Sequence, residues 1–360
     1  MGKEAWSQLA IDDAAYNKIA ELEVGKGPLI DRRALAMPRV LITGIAGFIG
    51  SAIAHECATR GYEIRGIDNL TTGSIDNIAD IEEIEFYRGS LTNRRLLRTA
   101  CEGVDIVFHQ AALASVAGSI EDPASSHITN LDGTLNLLLE AEGQGVKRVV
   151  YASSSAVYGD SLALPKSEKM LPEPISPYAV QKLAGESYMR CFTQIYGMET
   201  VSLRYFNVFG PRQPAWSPYS GVLARFITSM LAAIAPQIYG SGDQSRDFVY
   251  IDDVVEANMR AALADASKVS GKVFNIACGQ RHTLLDIYAM LSDLLRFNGS
   301  PNFLPSRPGD IRHSEADISR ARKDLEYEPR VSFRHGLERT IEWYRGERHR
   351  QEGMLLTVAS

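Results

Sequence analysis

The octapeptide TGIAGFIG occupies residues 43–50, directly after the short apolar run RVLI at residues 39–42. The apolar run favours a β-strand, and the spacing from Gly47 to Arg60 favours a helix that ends before Gly61. Glycines at 44, 47 and 50 permit a tight turn, close approach of the backbone to a pyrophosphate and close packing of helix on strand. The pattern predicts a dinucleotide site, although a glycine triplet alone also fits a plain strand–helix turn.

Strand and helix patterns alternate from this turn to residue 206. Further strands are expected at 62–67, 84–88, 104–109, 148–152 and 201–206, and helices at 131–142 and 177–196. Alternation of this kind implies an α/β fold in which helices cover both faces of a doubly wound, Rossmann-type parallel sheet.

The alternation of strand and helix patterns becomes less regular after Asn207, and Pro, Gly and Ser are frequent as far as Gly242. This change indicates a smaller C-terminal lobe, with a strand at 273–277, a helix at 284–295 and a polar loop at 305–312. The expected organisation is an N-terminal extension or linker (1–36), a Rossmann domain (37–206, with 250–280 returning to it), a substrate-binding lobe (207–249 and 281–348) and a tail (349–360).

Bulk composition is that of an ordinary globular protein: 360 residues, 45% apolar and 23% charged. The net charge of −6 argues against a nucleic-acid partner, which would need a basic face. No signal peptide or membrane span is expected, and a cytoplasmic location follows. The cysteines are scattered without metal-ligand spacing, so we expect reduced thiols and no metal. They are Cys57, Cys101, Cys191 and Cys278.

The second strand ends in Ile67-Asp68-Asn69. A carboxylate at this place can accept hydrogen bonds from the hydroxyls of an adenosine ribose and would repel a 2′-phosphate. Asp68 alone could equally be a helix cap or a turn residue. Together with the glycine turn, it predicts NAD rather than NADP.

The pentapeptide YAVQK at residues 178–182 places a phenol and an ammonium four residues apart on one helical face. Pro177 suits the first turn of that helix. A nearby lysine and the positive nicotinamide ring are expected to lower the pKa of Tyr178 towards the range of a general base. Because this spacing is common by chance, an exposed Tyr and a solvated Lys are the alternative.

Three serines, at 153–155, stand at the end of a predicted strand upstream of the Tyr–Lys pair. Hydroxyls at the carboxyl end of a parallel strand point into the crevice where such folds bind ligands. One of them is expected to hydrogen-bond the oxygen whose proton Tyr178 takes, although a serine-rich turn is the simpler alternative.

These motifs occur in one order with His109-Gln110-Ala111-Ala112, Leu203 to Gly210 (LRYFNVFG) and Arg246-Asp247-Phe248. From about Met37 to Tyr344 the chain resembles the nucleotide-sugar 4-epimerases of the extended short-chain dehydrogenase/reductase family. The resemblance is strongest to epimerases of UDP-N-acetylglucosamine. It implies C4 epimerisation of a UDP-hexose through a transient 4-keto sugar, with NAD retained.

The resemblance also implies roles for individual residues. The catalytic residues are Tyr178, Lys182 and Ser154. The cofactor-binding residues are Gly44, Gly47, Phe48, Ile49, Gly50, Asp68, Asn69, Ser90, Leu91, Gln110, Ala111, Ala112, Asn130, Tyr178, Lys182 and Phe206. The substrate-binding residues are Ser115, Ser154, Ser155, Asn207, Arg246, Arg307, Asp310 and Ser314.

Two positions depart from the family pattern. Ser90 stands where the family often has an acidic residue touching adenine, which weakens one contact. Ala114 stands where many galactose epimerases carry a lysine, as in the subgroup for N-acetylated sugars. The small Ser314 leaves room for a C2 N-acetyl group, although a roomy pocket also admits UDP-glucose or UDP-glucuronate.

Other activities remain open. A nucleotide-sugar decarboxylase of the same family would need a uronic acid pocket. A 4,6-dehydratase is disfavoured because Ser155-Ala156, and no acidic pair, follows Ser154. A non-catalytic NAD sensor is the alternative from another class, disfavoured because both Tyr178 and Lys182 are present. By analogy with the family, a homodimer pairing through the Tyr178 helix is expected.

Overall fold

The computed structural model describes residues 37–215, 221–306 and 311–358, with side chains as far as 347. The N-terminal extension expected at 1–36 lies outside this part of the chain. The strands are β1 Arg39–Thr43, β2 Glu63–Asp68, β3 Ile84–Arg88, β4 Ile106–His109, β5 Arg148–Ser154, β6 Glu199–Tyr205, β7 Asn207–Phe209, β8 Gln237–Tyr239, β9 Ser245–Tyr250, β10 Lys272–Ile276, β11 Arg281–Thr283 and β12 Asn302–Leu304.

Helices separate most of these strands. The α-helices are α1 Phe48–Thr59, α2 Arg94–Cys101, α3 Val116–Glu121, α4 Pro123–His127, α5 Gly133–Gly143, α6 Pro177–Tyr196, α7 Val222–Leu231, α8 Ile251–Leu263, α9 Ala266–Val269, α10 Leu284–Leu295, α11 Ser319–Leu325 and α12 Phe333–Val358. A π-helical turn spans Ile128–Asp132, and 3-10 turns span Ile75–Asn77 and Ser155–Tyr158. Within the described ranges, each helix is too short or too polar to cross a membrane.

Seven parallel strands form the central sheet in the order β10-β6-β5-β4-β1-β2-β3. The middle strand, β1, pairs with β2 on one side and β4 on the other, and its residues 40–42 are fully buried. Apolar clusters cover both faces of the sheet. The α/β Rossmann-type fold predicted from the alternating pattern is therefore confirmed.

The C-terminal half contributes two small sheets that the sequence did not predict. In the first, β9 pairs in parallel with β7 and antiparallel with β11. In the second, β8 and β12 pair in parallel. Each strand except β9 has only three residues, too short for periodicity to identify. The last helix, α12, passes the boundary expected at residue 348, so the expected tail begins inside a helix.

Helix α6 begins and ends as its sequence predicts. The Ser176 hydroxyl caps it by accepting from Ala179 N at 3.2 Å, Pro177 occupies its first turn, and Gly197 ends it at a φ of 70°. Its buried face packs on β5 and β6. Gly185 lies on that face, where a Cβ atom would sit 2.6 Å from Cζ of the buried Tyr151 ring.

We expect Gly185→Ala to destabilise the protein, because the added methyl group overpacks a rigid contact at a cost of about 1–3 kcal/mol. Urea unfolding measures this change. The matched control is Gly346→Ala, in an exposed helical position where a Cβ meets no atom within 4 Å. There the better helix propensity of alanine should leave stability equal or higher. Equal effects of the two substitutions would contradict the packing argument.

Candidate active site

The glycine turn between β1 and α1 lies at the carboxyl edge of the sheet. Gly44 has a φ of 71°, and a Cβ there would lie 2.8 Å from the Ala111 backbone. A Cβ on Gly50 would lie 2.8 Å from the Gly44 carbonyl carbon. Gly47 is the N-cap of α1, and within the described residues no side chain caps this helix. The first-turn amides, those of Phe48 and Ile49 included, fit a pyrophosphate, because they present N–H donors and the positive end of the helix dipole.

The carboxylate of Asp68 is buried at the end of β2. Its Oδ2 accepts from Ala46 N at 3.0 Å and its Oδ1 from Leu70 N at 2.8 Å. Asp68 therefore holds the glycine turn, and each oxygen retains acceptor capacity for a ribose hydroxyl. The neighbouring Asn69 is exposed, and its Oδ1 accepts from Thr71 N at 3.0 Å.

The remaining residues predicted to bind the cofactor lie at the ends of β3, β4 and β6. Ser90 Oγ accepts from Thr92 N at 3.2 Å, whereas its neighbour Leu91 is buried, as is Phe206. Ala111 N donates to Thr43 Oγ1 at 3.2 Å, and Ala112 follows it half-buried.

Gln110 directs its side-chain amide into the protein. The amide donates to Tyr205 Oη at 3.2 Å and to Asn258 Oδ1 at 3.1 Å, which joins β4 to β6 and α8. Any contact of Gln110 with a cofactor is therefore best made by its backbone.

A buried hydrogen-bond chain connects the glycine turn to the π-helical turn. Thr43 Oγ1 lies 2.8 Å from His109 Nδ1, and His109 Nε2 lies 2.9 Å from Thr134 Oγ1, which donates to Asn130 O at 2.6 Å. Burial lowers the pKa of His109 to about 3, so the ring is neutral. Because Thr134 gives its proton to Asn130, the His109 proton lies on Nε2.

Lys182 is buried beneath the phenol of Tyr178. Its Nζ donates to Ala152 O at 2.7 Å and lies 5.0 Å and 5.8 Å from the ring centroids of Tyr151 and Tyr178. Burial lowers the pKa of Lys182 to about 7, while the carboxylate of Glu186 acts in the opposite direction. The predicted phenol–ammonium pair is therefore brought together.

The surroundings of Tyr178 act on the pKa of its phenol in two opposite directions. Burial raises the pKa of Tyr178, and its hydrogen bond with Ser154 opposes that rise. The expectation that Lys182 and a bound nicotinamide ring together lower this pKa stays a prediction, because the shift described here comes from the protein's own groups alone. Acidifying the phenol would require the additional positive charge of a bound nicotinamide ring.

Glu186, one turn after Lys182 on α6, forms a buried ion pair with Arg204 that the sequence did not predict. The Glu186 carboxylate accepts from Arg204 Nε at 2.8 Å and from Arg204 Nη2 at 2.7 Å, and the side chains are 5% and 4% exposed. Ser153 also donates to Glu186. The guanidinium stacks 4.7 Å over the Tyr158 ring. The only indication of a buried charge cluster in the sequence was that Glu186 follows Lys182 by four residues, which places both on one face of the helix.

The predicted substrate residues form two groups. Ser154 and Ser155 lie together where β5 ends, and Ser115 follows β4 as the N-cap of α3. The others surround β9: Asn207 Nδ2 donates to Asp247 O at 3.0 Å, Arg246 lies on β9, and Ser314 N donates to Ser245 O at 3.0 Å. Arg307 and Asp310 lie outside the described residues.

Asp247 anchors this second group and was not predicted. Its carboxylate accepts from Cys278 N at 3.0 Å, Gly279 N at 2.9 Å and Ala316 N at 3.1 Å. Burial raises the pKa of Asp247 to about 7, and the three backbone donors act in the opposite direction. An acidic residue directly before the apolar residues of a strand was the signal for a buried anchor.

A glycine turn, an acidic residue ending β2 and a Tyr–Lys pair on a parallel sheet together define a dinucleotide-dependent enzyme of the short-chain dehydrogenase/reductase class. Residues 40–277 match the NAD dependent epimerase/dehydratase family. The UDP-glucose 4-epimerase of Mycolicibacterium smegmatis is 34% identical over 314 residues, covering 86% of this chain and 99% of that protein.

Two solved structures are also similar. The UDP-N-acetylglucosamine 4-epimerase of Methanobrevibacter ruminantium, in complex with UDP-N-acetylmuramic acid, is 37% identical with a TM-score of 0.83. The UDP-glucose 4-epimerase of Thermus thermophilus, in complex with NAD, is 34% identical with a TM-score of 0.78. Each alignment covers 86% of this chain and 99% of the other. The chain belongs to the NAD-dependent epimerase/dehydratase family, and its cofactor is NAD.

We expect Glu186→Gln to lower the free energy of unfolding by about 3–5 kcal/mol, because it leaves the Arg204 guanidinium buried without its counter-ion. Replacing both partners, as Glu186→Leu with Arg204→Met, should recover most of this loss. Urea unfolding of the single and double variants measures both effects. The exposed pair Arg322–Glu328 provides a control, since Glu328→Gln should change stability little. A double variant no more stable than the single one would argue against the ion pair as the cause.

Proposed function

We propose that the protein interconverts the C4 epimers of a UDP-hexose with NAD as cofactor, and that UDP-N-acetylglucosamine and UDP-N-acetylgalactosamine are its preferred pair. The observation that carries the proposal is the arrangement of Tyr178 and Lys182, whose Nζ lies 5.8 Å from the Tyr178 ring centroid, with Ser154 at the end of β5 acting on the pKa of the same phenol. This group lies on the same sheet edge as the glycine turn that fits a pyrophosphate. Membership of the epimerase family supports the same conclusion.

In this scheme Tyr178 takes the proton of the sugar 4-hydroxyl, either directly or through Ser154. NAD, when bound at the glycine turn and Asp68, would supply the acceptor and donor for the hydride of C4. Lys182 stabilises the phenolate charge and binds the nicotinamide ribose. Because burial raises the pKa of Tyr178, the phenol becomes an effective base only when positive charge lies close to it.

The 4-keto sugar must turn over between the two steps while its diphosphate stays anchored. We assign the anchoring to Asn207, Arg246 and Arg307. Arginine suits this role because its planar fork binds phosphate oxygens in pairs. The pairing of β7 with β9 and the hydrogen bond from Asn207 Nδ2 to the Asp247 carbonyl hold the backbones of Asn207 and Arg246 in position.

The choice of sugar depends on Ser314 in this proposal. Its side chain is small and 7% exposed, and its backbone is fixed to Ser245. A small residue leaves space for an N-acetyl group at C2, as in the similar Methanobrevibacter enzyme named for UDP-N-acetylglucosamine. UDP-glucose is the second candidate, because a roomy pocket also accepts it and the Mycolicibacterium relative is named for it.

We also propose the division into a Rossmann domain and a substrate-binding lobe, and a homodimer. Exposed apolar side chains on α3 and α6 support the dimer, since they form a surface that pairing would remove from water. They are Val116, Ile120 and Val180.

The test incubates the purified holoenzyme with UDP-N-acetylglucosamine without added NAD. Conversion to UDP-N-acetylgalactosamine is expected, and Tyr178→Phe should lower kcat about 10²- to 10⁴-fold because it removes the base. Chromatography of the products measures both. A 4-keto product would favour a dehydratase, and CO₂ released from UDP-glucuronate in a parallel incubation would favour a decarboxylase. No turnover of UDP-N-acetylglucosamine, UDP-glucose or UDP-glucuronate by intact holoenzyme would favour an NAD sensor.

Ser314→Tyr is expected to suppress turnover of N-acetylated substrates selectively, because the phenol ring fills the space of the acetamide. The ratio of kcat/KM for UDP-N-acetylglucosamine to that for UDP-glucose measures the change, and we expect a fall of about 10-fold or more, the size of a steric mismatch in a pocket. Ser314→Ala, which keeps the volume small, is the control. Equal loss on both substrates would refute the assignment of Ser314.

A further inference from the structure

Gln181 is a buried polar residue of helix α6, and the proposed mechanism does not use it. It precedes Lys182, and its side chain is 2% exposed. Its Oε1 accepts from Asn130 Nδ2 at 2.8 Å, and its Nε2 donates to Ser126 Oγ at 2.8 Å. Both ends of the amide therefore have protein partners, one on α4 and one on the π-helical turn.

Asn130 extends this connection to the segment that follows β4. Its Oδ1 accepts from Leu113 N at 2.8 Å, and its Nδ2 donates to Leu113 O at 3.2 Å. The Asn130 side chain is 1% exposed. Since Oδ1 must face the Leu113 N–H, the orientation of the amide is determined, and Gln181 completes its hydrogen bonding.

A second connection joins the other end of the same segment to α6. Ser119 Oγ accepts from Tyr178 N at 3.1 Å and donates to Val116 O at 2.7 Å. The Tyr178 N–H lies in the first turn of α6, where it has no intrahelical acceptor. Ser119 therefore satisfies a backbone donor on the residue that carries the proposed base.

The two connections close a ring of hydrogen bonds around residues 113–119. Ser115 lies inside this segment, and its Oγ accepts from Gly118 N at 2.8 Å, which leaves its proton available for donation. The position of Ser115 relative to Tyr178 is thus determined by bonds made at Leu113 and at Ser119.

We propose that Gln181 and Ser119 are positioning residues that hold the segment 113–119, and with it Ser115, in place beside Tyr178 for orientation of the substrate sugar. The proposal rests on the proposed function, because Ser115 has a role only if a sugar binds there. Gln181 acts through Asn130 and Leu113, whereas Ser119 acts directly on the backbone of Tyr178.

Gln181→Met keeps the volume of the side chain and removes both of its hydrogen bonds. We expect kcat to fall about 10- to 100-fold, as for a misplaced positioning group, while the Kd of UDP stays unchanged because the diphosphate site is separate. Hydrogen exchange should show faster exchange of the amides in residues 113–119. Gln194→Met, at an exposed position of the same helix, should change none of these quantities.

A double-mutant cycle separates positioning from a merely structural role. Ser115→Ala should lower kcat in the otherwise unchanged protein but have little further effect in Gln181→Met, since Ser115 is already displaced there. The same cycle with Ser119→Ala, a smaller change, covers the case in which Gln181→Met fails to fold. Fully additive losses in both cycles, or unchanged exchange at 113–119, would overturn the proposal.

The proposed epimerase function and the positioning roles of Gln181 and Ser119 are tested by different outcomes. If the unaltered holoenzyme converts no UDP-sugar, the proposed function fails, and the exchange of residues 113–119 still reports whether Gln181 holds that segment. If epimerisation is observed and the cycles are additive, only the positioning roles of Gln181 and Ser119 fail.

Discussion

The site depends on how helix α6 docks on strands β5 and β6. Gly185 lets the helix approach the Tyr151 ring, Glu186 pairs with Arg204 on β6, and Lys182 donates to the backbone of β5. These contacts occupy two successive turns of the helix. Because Tyr178 lies one turn before Lys182 on the same face, its place at the sheet edge follows from that docking.

The same docking creates the electrostatic character of the site. Lys182 and Arg204 are two buried cations, and one carboxylate, Glu186, lies between them in the fold. Burial makes Lys182 easier to deprotonate, but it also strengthens the effect of its charge on the phenol, since fewer water molecules screen it. The phenol of Tyr178 is therefore expected to respond strongly to one more positive charge placed close to it.

The sequence predicted the features that depend on local spacing. The glycine turn, the strand–helix alternation and the Tyr178–Lys182 pair all lie within a few residues of their partners, and the structure has the fold that they indicate. It did not predict features whose partners are distant in the chain. In the sequence, Gln181 and Glu186 resemble ordinary polar residues of an amphipathic helix, because their partners, Asn130 and Arg204, come from other elements. The rise that burial causes in the pKa of Tyr178 was not predicted for a related reason, since burial is a property of the packed site.

Strand β9 explains how the C-terminal half reaches the sheet edge. Asp247 points inward and binds the backbone of the segments around Gly279 and Ala316, while its neighbour Arg246 is only half-buried. This alternation is the ordinary period of a strand, and it places successive side chains on opposite faces of β9. Ser314 is hydrogen-bonded to the same strand through Ser245. The volume at position 314 can therefore change while its backbone stays fixed, which is the property a position needs if it is to select among substrates.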